Sequence, residues 1–73
     1  MWKLYDIRNA ETNEYLGSVE TETAFDAAIL HFAVYDIKIA QIQVTHENPF
    51  TVTIEGVKYT VIEDTAAVIT DEP

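Results

Sequence analysis

Seventy-three residues carry 13 acidic side chains against four lysines and arginines, a formal net charge of −9, with 48% hydrophobic residues and no cysteine. That length sets a single domain, residues 1–73, burying roughly 60–65% of the surface its unfolded form exposes; the apolar share excludes intrinsic disorder, and the missing cysteine excludes disulfides and thiolate metal sites. Such an acidic excess opposes direct binding to nucleic acid or to an anionic membrane, and no apolar run reaches the roughly 18 residues of a membrane span.

The opening stretch, MWKLYDIRNAETNEYLG, lacks the basic-then-apolar order of a signal peptide, so the default location is the cytoplasm. Within it, WKLYDIR and EYLGSVE flank the polar loop NAETN and read as a hairpin. A five-residue loop sets Ile7 opposite Tyr15, Tyr5 opposite Gly17 and Lys3 opposite Val19. Trp2, Leu4 and Leu16 then occupy the reverse face.

A helix follows over residues 24 to about 35. Thr23 is a good N-cap, and Asp26 takes the position three residues on that reaches back to the cap. Glu20, Glu22 and Asp26 lie beside the positive end of the helix dipole, where each carboxylate contributes about 0.3–1 kcal/mol. Phe25, Ala28, Ile29, Phe32 and Ala33 recur at helical spacing and predict the core stripe. Ala27, Leu30 and Val34 lie away from it, so the helix is apolar nearly all round and is expected to be covered on two sides.

Residues 37–45, IKIAQIQVT, predict a third strand with Ala40, Ile42 and Val44 on one face. In PFTVTIEGVKYTVIED, Phe50, Val52 and Ile54 alternate with polar residues, Glu55-Gly56 forms a two-residue turn, and Val57, Tyr59 and Val61 resume the alternation. That turn sets Ile54 opposite Val57, Val52 opposite Tyr59 and Phe50 opposite Val61. A sixth short strand over residues 66–70, or a loose tail, would end the chain. The expected fold is α+β in two layers: one helix on a mainly antiparallel five-stranded sheet, in the order β-β-α-β-β-β. The uncovered sheet face would then carry Trp2, Leu4 and Leu16, with Ile39 and Ile62 as candidates.

The residues offer little for catalysis. Ser18 is the one serine and lacks a G-x-S-x-G turn, while His31 and His46 lack the spacing of paired metal ligands. The carboxylate pairs Glu20/Glu22, Glu63/Asp64 and Asp71/Glu72 fit no calcium-loop pattern, and two glycines cannot shape a phosphate-cradling loop. Trp2, Tyr5, Tyr15 and Tyr59 suggest base stacking, but the basic residues that would hold phosphates are missing. The chain therefore reads as non-enzymatic, with no catalytic, cofactor-binding or metal-binding residue assigned.

Two functional readings remain. In the first, Glu14, Glu20, Glu22, Asp26, Glu63 and Asp64 form a rigid acidic surface that imitates a phosphate backbone and docks on a basic protein, such as a nucleic-acid-binding effector. Small, cysteine-free, strongly acidic domains of this type resemble virus- or plasmid-encoded inhibitors, the anti-restriction and anti-CRISPR proteins among them. In the second, Ala27, Leu30 and Val34, or Trp2 with Leu4 and Leu16, form the interface of a homodimer, and the acids serve solubility.

Overall fold

The computed structural model describes residues 2–65. In chain order these form β1 (Lys3–Asn9), β2 (Tyr15–Thr21), α1 (Ala24–Ala33), a 3-10 turn (Ile39–Gln41), β3 (Gln43–Glu47), β4 (Phe50–Ile54) and β5 (Val57–Glu63). The strands make one antiparallel sheet in the order β2-β1-β5-β4-β3, and α1 packs on one side across β2, β1 and β5. The two-layer α+β arrangement and the element order are those predicted. The expected strand at residues 66–70 lies outside the described residues.

The β4–β5 hairpin keeps its predicted register, with Ile54 opposite Val57 and Val52 opposite Tyr59. Both turn residues have positive φ, 51° at Glu55 and 82° at Gly56, the geometry that matches strand twist in two-residue hairpins. The β1–β2 hairpin departs from the predicted register by two residues. Ile7 lies opposite Gly17, Tyr5 opposite Val19 and Lys3 opposite Thr21. The cause is a loop of the expected length displaced by one residue, to 10–14, and a bulge. Asn9 Oδ1 accepts hydrogen bonds from the Glu11 and Thr12 amides, and the Asn9 amide donates to the Glu14 carbonyl. Arg8 then pairs with Tyr15, so Leu16 is the extra residue of the bulge. It swings to the helix side and packs against the core instead of lying on the reverse face.

The core comprises Tyr5, Ile7, Ala27, Ala28, Phe32, Ile42, Val52, Ile54 and Val61. Ile7, Val52 and Val61 are the largest fully buried side chains, and burying each contributes about 1.5–3 kcal/mol. The helix stripe is rotated from the expected one. Ala27 is fully buried, whereas Ala33 is exposed and Phe25 and Ile29 are half-buried flanks. Small side chains allow close approach to a sheet, so Ala27 and Ala28 face it beside Phe32, and Phe25 and Ile29 wrap the sides.

Thr23 caps α1 as predicted, its Oγ1 accepting from the Asp26 amide at 3.1 Å. The helix stops at Ala33, two residues early. Asp36 takes φ 61°, the Asp36 amide donates to the Ala33 carbonyl and the Ile37 amide to the Phe32 carbonyl, a Schellman closure. Residues 37–45 do not form one strand. Gln41 Oε1 accepts from the Lys38 amide and closes the 3-10 turn, Ile42 anchors in the core, and β3 begins only at Gln43. Ala40 falls in the 3-10 turn and is exposed, while Val44 lies opposite Val52 on the helix-side face but stays 44% exposed on the edge strand, beyond the reach of α1.

The uncovered sheet face is more polar than expected. Alternation gives it Leu4 and Ile62 together with Asp6, Arg8, Tyr15, Ser18, Glu20, Thr51, Thr53, Lys58 and Thr60. Leu16 is absent from it, and Ile39 belongs to the 3-10 turn.

Candidate functional site

Strand directions decide where the acids gather. β1 starts, β2 and β5 finish, and α1 begins at one end of the sheet. Glu20, Glu22, Asp26, Glu63 and Asp64 therefore share that end. All are exposed except Asp64, which is half-buried and whose amide extends the β1–β5 ladder by donating to the Leu4 carbonyl at 2.7 Å. Lys3 enters the group through an ion pair of Nζ with Glu63 Oε1 at 3.4 Å. Glu14 does not belong to the group. It precedes β2, six residues before Glu20, which puts it roughly 20 Å away at the other end of the sheet.

The residues predicted for an apolar interface are dispersed. Ala27 is in the core, Leu16 lies under the helix, and Leu4 sits on the outer sheet face, while Trp2 precedes β1 and is half-buried. Leu30 and Val34, 52% and 81% exposed, remain together on the outer side of α1 and at its C-cap.

The outer face also holds a polar chain. Ser18 Oγ donates to Asp6 Oδ1 at 2.7 Å and bonds the Tyr15 hydroxyl, while the Arg8 guanidinium lies 5.2 Å from the centroid of the Tyr15 ring. His31 lies on the other side of the sheet, over Gly17, so it does not meet Ser18. Among the described residues no three His, Asp or Glu side chains converge in a metal-binding group, and no helix is long and apolar enough to cross a membrane.

Toward the end opposite the acids, where α1 stops, an open cavity of about 300 Å³ is lined by Leu16, His31, Phe32, Tyr35, Ile37 and Tyr59. Its rings follow one another around the wall. Tyr59 meets Phe32 at 4.9 Å between centroids and 58°, Phe32 meets His31 at 4.8 Å and 89°, and His31 meets Tyr35 at 5.6 Å and 54°. Gly17 makes room for this arrangement. Its φ is 155°, and a Cβ there would come within 3.3 Å of His31 Cε1. Burial lowers the pKa of His31 from its ordinary value, since the charged ring would lose hydration.

Sequence reasoning did not find this cavity, because its lining comes from β2, α1, the segment after it and β5. The available signal was Gly17, a glycine inside a strand, which marks a place where something approaches closely. Comparisons with protein-family models, with curated proteins and with solved structures gave no match to this chain.

Proposed function

We propose that the chain is a non-enzymatic acidic binding module of the cytoplasm that occupies a basic, nucleic-acid-binding surface of a partner protein, as virus- or plasmid-encoded inhibitors do. The acidic end carries this reading: Glu20, Glu22, Asp26, Glu63 and Asp64 stand on or beside two strands and the helix of one frame, with Lys3 of β1 among them. Carboxylates carried on a backbone already ordered by strands and a helix need no chain ordering on binding, so they suit competition for lysines and arginines that otherwise hold phosphates. The same charge steers encounter with a basic surface.

The test is competition. A basic protein captured at low salt should be released by added polynucleotide, and affinity should fall steeply between about 50 and 200 mM salt. Glu20→Lys with Glu22→Lys should slow association while circular dichroism stays native. Binding that ignores both salt and polynucleotide rejects the proposal.

One observation favours a second reading, a homo-oligomer kept soluble by its acids: the exposure of Leu30 and Val34. Light scattering over about a hundredfold range of concentration decides it, since a dimer through this face dissociates on dilution.

A further inference from the structure

The cavity at the end of α1 has a chemistry that the acidic surface does not explain. Four rings, from Tyr59, Phe32, His31 and Tyr35, form a continuous wall in which each is tilted by 54–89° from the next. Leu16 and Ile37 complete the lining. Faces of Tyr and Phe rings carry partial negative charge and attract cations, most strongly cations already poor in hydration. No lysine or arginine lines the space to repel one, and the chain as a whole has a net charge of −9.

The lining also selects among cations. A primary ammonium or a guanidinium brings several N–H donors that need acceptors when taken from water. The lining side chains include no carboxylate; their polar groups are two phenol hydroxyls and the imidazole. An ammonium whose hydrogens are replaced by methyl groups makes no such demand, and its apolar shell fits against Leu16, Ile37 and the rings. His31 is half-buried, and its partial burial lowers its pKa and so favours the uncharged ring, which does not oppose a cationic guest.

We propose that this cavity is an aromatic cage for an alkylated ammonium group carried on a lysine side chain of the basic partner. The proposal rests on the partner reading for the source of the cation only. Phe32, Tyr35 and Tyr59 supply its rings with His31, and Gly17 is the positioning residue that leaves His31 its place among them.

The test uses the full chain and no partner, at fixed ionic strength. The protein is titrated, with nuclear magnetic resonance readout, with Nα-acetyl-Nε-trimethyllysine amide and with its neutral isostere, which has a tert-butyl group in place of the trimethylammonium. The charged probe should bind about fivefold or more tightly than the isostere. Shifts should centre on Leu16, His31, Tyr35 and Tyr59. Tyr35 is 64% exposed, so Tyr35→Leu should fold normally and abolish the preference for charge, while Tyr35→Phe should retain it. Equal binding of the two probes, or binding of neither, overturns the cage. Choline binding as tightly as the lysine probe overturns the side-chain source and points to a free small cation. Failure here leaves the salt and polynucleotide tests of the acidic end untouched, and failure of those leaves this titration readable.

Discussion

Glu55 and Asp36 both adopt the left-handed backbone conformation, at φ 51° and 61°, which costs a residue with a Cβ about 1 kcal/mol relative to glycine. Glu55→Asn should therefore raise stability by about 0.5–1 kcal/mol in urea unfolding, because asparagine is the favoured first residue of this turn type. At the next position the sign reverses. Gly56 has open space around it, so Gly56→Val is destabilising through φ alone, by at least about 1 kcal/mol. Unchanged stability in both variants would contradict the turn geometry. His31 ties stability to pH. Its folded-state pKa lies below the ordinary value of about 6.5 that the unfolded chain retains, so the unfolded chain takes up the proton first as pH falls. The contribution is complete above pH 6.5 or so and is lost as pH descends from there toward the folded pKa. His31→Gln should remove that component of the slope, measured as unfolding free energy against pH.

At the scale of elements, legibility followed how many local signals agreed. The β4–β5 hairpin was readable because alternation and turn chemistry demanded one register. The β1–β2 register was not, since alternation is unchanged by a two-residue shift and the bulge at Leu16 leaves no mark in the pattern of apolar residues. Residues 37–45 alternate well enough for a strand, yet Gln41 competes for the Lys38 amide and turns the chain. In α1 the period was right and the phase was off, because alanines count little in a hydrophobic pattern although they decide the closest approach. That phase makes a prediction. Leu30→Glu should leave the monomer folded by circular dichroism, whereas Ala27→Leu should cost about 1–3 kcal/mol by overpacking the sheet contact. The acidic group was partly legible too: Glu20, Glu22 and Asp26 are close in sequence, but the arrival of Glu63 and Asp64, and the departure of Glu14, depend on strand direction. The cavity was not legible, being assembled from four parts of the chain.

Over the whole molecule, charge and shape act together. With 13 acids against four bases, self-repulsion opposes compaction, and salt screens it. Raising salt to about 0.5 M should therefore raise the melting temperature of the free protein while weakening its complex with a basic partner. Opposite responses to one variable separate an acid that docks from an acid that merely dissolves; a complex strengthened by salt would reject the docking role. The acidic end and the aromatic cavity lie toward opposite ends of α1, whose ten residues rise about 15 Å. A partner engaging both would have to lie along the helix rather than cap one end.

The position of β1 has a consequence for how the chain is made. This strand is hydrogen-bonded on both sides, by β2 and by β5, so Tyr5 lies beside Glu63 although 57 residues separate them. A chain emerging from the ribosome can close its first hairpin early, but Ile7 lacks Val61 until nearly all of the described chain has been synthesised. Pairings between such distant segments slow folding and leave a strand edge open meanwhile. Chains stopped before β5 should thus remain protease-sensitive and prone to associate, and the fold should form only with the last strand, as one unit.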